Sequence, residues 1–200
     1  MISIVVFFWF MVGFFALIGY FRGWQKEVIA LAGLVASIAA LQQFGFEIAN
    51  LLANAFGWPT EGEAFEAWQR QQFWIQAIFH LTIAFFSYQV VARLAESAAG
   101  GKLGARLRVT LEKGIIGALA GALNGYLVVG TLWSFLEYQM TADGYQQLPP
   151  NVDSYIFSTD LITRPVGLAL TEFLPMGLFT PTTWLIFFFA VFFIVIVALI

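Results

Sequence analysis

The chain has 200 residues, of which 60% are hydrophobic, 18% aromatic and only 10% charged, with a formal net charge of −3. This composition excludes an ordinary soluble domain and gives no basis for nucleic-acid binding. The absence of cysteine excludes a disulfide, a thiolate nucleophile and a cysteine-ligated metal.

A hydrocarbon core of about 30 Å takes about 20 apolar residues of helix to cross. Five runs reach that length: Ile2–Tyr20, Val28–Ile48, Phe73–Leu94, Ile115–Glu137 and Thr183–Ile200. The predicted fold class is all-α, a polytopic integral membrane protein of about five transmembrane helices with short interfacial amphipathic helices.

The first run is crowded with Phe7, Phe8, Phe10, Phe14 and Phe15. Its first cation, Arg22, follows the apolar stretch, the reverse of a cleavable signal peptide, so this run is expected to remain as a mature helix. The turn after it holds Arg22, Gly23 and Glu27. Gly23 frees the backbone to reverse, and Glu27 near the start of the second helix is favoured by the helix dipole. This turn reads either as a cap that pins the second helix or as a docking point for a partner.

The second run carries Ala32, Ala36 and Ala40, a spacing of four that leaves a smooth helix face. Beyond it, Phe65 and Trp68 lie on one side of a segment rich in Glu63, Glu66 and Arg70, which predicts an amphipathic helix near residues 63–72. The third run contains a polar stripe of Gln76, His80 and Ser87, with His80 the only histidine in the chain. Intramembrane ionisable groups carry functional hypotheses. Three are open for His80: a structural hydrogen bond to Asn124 of the fourth run, a place on a substrate or proton path, or an axial ligand to a chlorophyll-type pigment or haem.

Leu103, Leu107 and Leu111 then recur every four residues among Lys102, Arg106, Arg108 and Lys113, as in a basic helix lying on anionic lipid. The fourth run holds Gly117, Gly121 and Gly125, a groove that admits a second backbone. The alanine face of the second run is the expected occupant, with an intersubunit contact as the alternative. After it, Tyr145–Pro150 reads as a loop, and Pro165 to Leu174 as a short amphipathic helix stopped by Pro175 and Gly177 along the outer interface. The last run repeats the phenylalanine crowding of the first, which suits lipid or a neighbouring subunit. Trp9, Trp24, Trp58, Trp74 and Trp184 fall near run ends, where an aromatic belt belongs.

Positive-rich connections, at Arg22 and Lys26 and again at residues 93–113, alternate with acidic ones at residues 61–66 and 143–172. The positive-inside rule then predicts an outside N-terminus and a cytoplasmic C-terminus. No GxSxG, HExxH or GxxxxGK[ST] motif is present, so no catalysis and no metal site is expected. The expected partners are the bilayer and other membrane subunits or further copies of the chain.

The stretch Gly19 to Glu27, followed by Leu31, Gly33 and Ala36, resembles the RGxxxE opening of the colicin V production protein (CvpA) family. Glu112-Lys113-Gly114 and the run Gly121 to Val129 are similar to the family's Asp-Arg pair and its GALRG segment. Arg164-Pro165 to Leu174-Pro175 is similar to its spaced-proline stretch. Val5 and Asn124 stand where the family often has Asp and Arg. The resemblance covers roughly residues 1–176, with 177–200 as an added transmembrane helix. It implies a bacterial inner-membrane protein linked to toxin production or export and to envelope maintenance, with no catalytic residues to carry over. The expected function is a non-enzymatic scaffold or accessory protein. The alternatives are an accessory subunit of a photosynthetic or respiratory complex, or an oligomeric channel or transporter.

Overall fold

The computed structural model describes residues 2–58, 60, 65–98, 111–148, 162–163 and 169–199. The chain forms β1 (Ile2–Ser3), α1 (Ile4–Arg22), α2 (Trp24–Phe56), α3 (Phe65–Ala98), α4 (Leu111–Glu137), β2 (Tyr138–Thr141), β3 (Gly144–Gln147), β4 (Ile162–Thr163), a 3-10 turn (Ala169–Phe173), α5 (Pro175–Leu178) and α6 (Pro181–Leu199). The fold is all-α, and every expected span is a helix. Among the described residues, three helices are long and apolar enough to cross a membrane: Ile4–Arg22, Trp24–Phe56 and Lys113–Glu137.

α2 and α3 run well beyond the apolar stretches that predicted them, to 33 and 34 residues. α2 stops only at Gly57, a left-handed cap with φ of 66° whose N–H bonds to the Ala53 carbonyl. Such a φ suits glycine, which has no Cβ to collide with the preceding turn. In α3 no glycine or proline interrupts residues 65–98. The separate interfacial helix expected near residues 63–72 is therefore instead the first turns of α3, with Trp68 buried.

The helices lie alternately up and down. Gly19, Phe15 and Phe8 of α1 meet Gly117, Gly121 and Trp133 of α4 in that order, so the two are antiparallel. Gly33 and Ser37 of α2 meet Ser87 and His80 of α3, again antiparallel. α2 is the central helix, burying Ala30, Leu34, Val35, Ile38 and Leu41 against α3, α4 and α6.

The glycine groove of α4 receives α1, not the alanine face of α2. A Cβ built on Gly121 would stand 2.9 Å from Gly19 Cα, and one on Gly125 would stand 3.1 Å from Val12 Cα. The reason is Gly19, which lets backbone meet backbone at that level. An alanine on α2 would hold the axes further apart. Ala32, Ala36 and Ala40 are only partly buried.

The far end of the bundle departs most from expectation. A β-hairpin replaces the expected loop at Tyr145, pairing Tyr138 with Gln147 through Thr141 with Gly144. Its tight turn is Ala142-Asp143, followed by Gly144 at φ of 112°, a glycine placed just after the turn as in hairpins closed by a type I turn. Residues 169–178 fold inward and plug that end, burying Leu174, Pro175 and Met176. Pro175 starts a helical turn rather than stopping one, because its fixed φ and missing N–H cost nothing at the first helical position. Trp184 also leaves the expected aromatic belt: it is buried and donates from Nε1 to the Pro175 carbonyl at 3.1 Å. This contact ties α6 to the bundle.

Phe7, Phe10, Phe14, Phe187, Phe189, Phe192 and Phe193 point outward, whereas Phe8 is buried against Trp133. The leucine stripe at 103 and 107, the cations at 102, 106 and 108, the acidic residues 61 and 63, and prolines 149, 150 and 165 lie outside the described residues.

Candidate functional site: a buried polar network

Gly23 makes the α1–α2 reversal at φ of 84°, and its N–H closes α1 on the Gly19 carbonyl at 2.9 Å. This tight turn returns the chain so that Glu27, one turn into α2, faces the centre of the bundle with none of its surface exposed. The expected Arg22–Glu27 pair forms at 2.9 Å through Arg22 Nη1 and Glu27 Oε1. The other carboxylate oxygen, Oε2, accepts from Tyr88 Oη of α3 at 3.0 Å and from Asn124 Nδ2 of α4 at 2.7 Å. Asn124 Nδ2 also reaches the Glu27 backbone carbonyl at 2.9 Å. Arg22 completes the set with a 3.2 Å bond from Nη2 to the Tyr88 carbonyl, while its guanidinium lies 4.4 Å from the Tyr88 ring centroid.

One carboxylate thus collects donors from three other helices. In a low-dielectric interior an unpaired charge is costly, and breaking such a pair costs about 3–5 kcal/mol. The network fixes the register of α1, α2, α3 and α4 through four side chains. Asn124 thereby puts a donor against Glu27.

The expected hydrogen bond between His80 and Asn124 does not form. Tyr88, not His80, shares the level of Asn124, and the eight residues between them place His80 about 12 Å further along α3. His80 Nδ1 instead bonds Ser37 Oγ of α2 at 2.9 Å. Its ring is 0% exposed and packed against Phe135, with centroids 6.4 Å apart. No open ring edge of His80 faces outward.

The remaining members of the polar stripe also point inward. Gln76 Nε2 donates to the Gln72 carbonyl at 3.0 Å, and its Oε1 accepts from Tyr145 of the hairpin at 2.7 Å. Burial pushes the Tyr145 phenol well above its ordinary range. Ser87 bonds back to the Ile83 carbonyl at 2.7 Å and sits over Gly33, so α2 and α3 touch closely there. Gln42, not singled out by sequence, donates to the Met176 carbonyl at 2.9 Å, and Ser134 accepts from the Met176 N–H at 3.2 Å. These two hold the plug.

The sequence brought together Arg22 and Glu27 but missed Tyr88, Ser37 and Gln42 as polar partners. A weak signal existed for Tyr88: a hydroxyl on the same run as His80 and Ser87. Among the described residues no group of acidic or histidine side chains forms a metal site.

Among family models, the one for colicin V production protein matches residues 4–149, which takes in α1 to the hairpin and all four side chains of the Glu27 network. The match stops short of Arg164–Pro175 and of α6. No curated protein and no solved structure matches the chain.

Proposed function

Since the chain belongs to the colicin V production protein family, we propose that it serves that family's role as a non-enzymatic, multi-pass scaffold or accessory protein of the bacterial inner membrane. Its work is association with other membrane proteins or with further copies of itself, in toxin production or export or in envelope maintenance. The observation that carries this reading is the closed state of Glu27. The most deeply buried acid in the described chain already has three donors, so it acts as a clamp between helices and not as an acid, base or ion ligand. The outward aromatic faces of α1 and α6, with exposed apolar side chains on α2, α3 and α4 such as Leu51, Phe85 and Leu119, are surfaces for lipid and for partners.

The proposed topology has five crossings, an outside N-terminus and a cytoplasmic C-terminus. The alternating helix directions support it. So does the shared end of the Arg22 turn and the first turn of α4, which holds Lys113, opposite the hairpin with Asp143.

Extraction of the tagged full chain into polymer-bounded native membrane discs tests the role. A defined membrane partner, or a defined homo-oligomer, should be recovered at constant ratio. A chain that elutes alone, and that crosslinks in cells to neither itself nor another protein, rejects association. The chain has no cysteine, so single cysteines at positions 61 and 102 can test the topology. They should label from opposite sides of the membrane, and labelling from one side rejects it.

A further inference from the structure

Residues 171–176 are held by side chains of other elements that reach their main chain. Tyr138 Oη donates to the Thr171 carbonyl at 2.9 Å, and Gln42 Nε2 donates to the Met176 carbonyl at 2.9 Å. Tyr126 Oη donates to the Phe173 carbonyl, and the Met176 N–H donates to Ser134 Oγ at 3.2 Å. Leu174 and Met176 are buried between these bonds. Two glycines shape the seat. A Cβ on Gly130 of α4 would stand 3.0 Å from Pro175 Cδ, and one on Gly177 would stand 2.7 Å from Tyr138 Cε1.

Main-chain groups taken one by one, with a pocket for an apolar side chain between them, are how a groove holds a peptide. The four side chains that do so belong to α2, α4 and β2, inside the family-matched residues 4–149, and the segment lies outside them. Trp184 of α6 donates to the Pro175 carbonyl, so the segment and α6 form one C-terminal cassette. Among its described side chains α6 buries Trp184, Val191 and Val195, and it turns Phe189, Phe192 and Phe193 outward.

The 20 residues 149–168 join the hairpin to the cassette. Along them, β4 is joined to β1 by two residue pairs. A stretch of that length can span up to about 65 Å, whereas two bundles side by side have centres about 20–25 Å apart, two helix diameters. The bilayer inserts every copy in one orientation, so a neighbour's groove lies at the same depth as the chain's own. Each contact that seats the cassette in its own bundle is available on a second copy, and exchange of such an element is a low-cost route to a dimer.

We propose that this groove is a polypeptide-binding site whose partner is the cassette of a second copy, so that two chains exchange residues 169–199 and lock together. The proposal rests on the reading that the chain associates with further copies of itself, and it names the surface. The closed single chain and the exchanged pair share every contact of the seat and differ in which chain supplies the cassette.

The chain has no cysteine, so Ser134→Cys with Met176→Cys in one full-length chain places two thiols across the groove. Bridged in native membranes with a short bis-maleimide and run on a denaturing gel, an exchanged pair gives a species of twice the chain mass, which neither single variant gives. A link closed within single chains, at one chain mass, overturns the exchange. Blocked variants give a second readout that needs no crosslink. Gly130→Leu fills the groove and Gly177→Leu spoils the segment, each under its own tag. Neither should pair with itself, whereas the two coexpressed should co-purify, since one intact groove then faces one intact segment. Equal recovery in all combinations overturns the exchange and leaves self-association standing. Differently tagged native chains that fail to co-purify remove the second copy as a partner, and the exchange with it.

Discussion

Gly19→Ala should loosen the α1–α4 crossing more than any other single methyl added to α1. The new Cβ would meet the Gly117 carbonyl and stand 2.8 Å from Gly121 Cα and 3.0 Å from Gly121 N. All three are backbone atoms, so no side chain can turn aside. Ordinary contact begins at 3.4 Å, so the helices must part by about 0.6 Å at the Cα alone, a gap that forfeits roughly a quarter of each contact's dispersion energy. The separation spreads along the groove, where Phe15 and Val12 lie against Gly125. Overpacking of this kind costs about 1–3 kcal/mol, and the backbone-only clash places Gly19→Ala at about 2–3. Gly13→Ala on the same helix is the control, since nothing lies within 4 Å of its Cβ position; it should be neutral or slightly stabilising. Detergent-driven unfolding in mixed micelles, followed by tryptophan fluorescence from the buried Trp133 and Trp184, reads both. Equal stability of the two variants refutes the seating of α1 in the α4 groove.

Three further perturbations test the rest of the interior. Glu27→Ala should cost about 3–5 kcal/mol, because it strands the Arg22 guanidinium and two other donors; an unfolding midpoint equal to wild type would show that the network carries no stability. Gly33→Ala should destabilise by crowding Ser87, whose Cβ lies 2.7 Å from the added methyl. Ser87→Gly in the same chain should restore much of the loss, and a purely additive double mutant would rule out that contact. High pH should destabilise the fold in part through Tyr145. Its phenol is pushed up by burial, while the unfolded phenol ionises near pH 10. Below that pH both states are neutral and stability is flat; as pH rises above it, the unfolded state loses its proton first and stability falls. Tyr145→Phe should flatten the fall above about pH 10. Identical slopes for the two chains between about pH 9 and 11 would contradict it.

Sequence alone determined that the chain is a set of apolar helices, that Arg22 and Glu27 meet across a glycine turn, and that Gly117, Gly121 and Gly125 form a groove. These follow from local facts: run length, a spacing of five across a reversal, and a repeat of four on one helix. The family was legible for the same reason, since its motifs are contiguous. Only the tertiary structure decided what fills the groove, and which helix offers the partner for Asn124 and which for His80. The alanine face of α2 fits a groove by pattern, yet α1 fills it, because Gly19 lets two backbones touch there. Depth was the other hidden quantity. α3 extends well beyond its apolar stretch, so counting from span ends misjudged which of its residues lies level with Asn124 by about two helical turns. Polar partners on separate helices are set by axial offset, and offset is fixed by packing across the whole bundle, which no local stretch of sequence encodes.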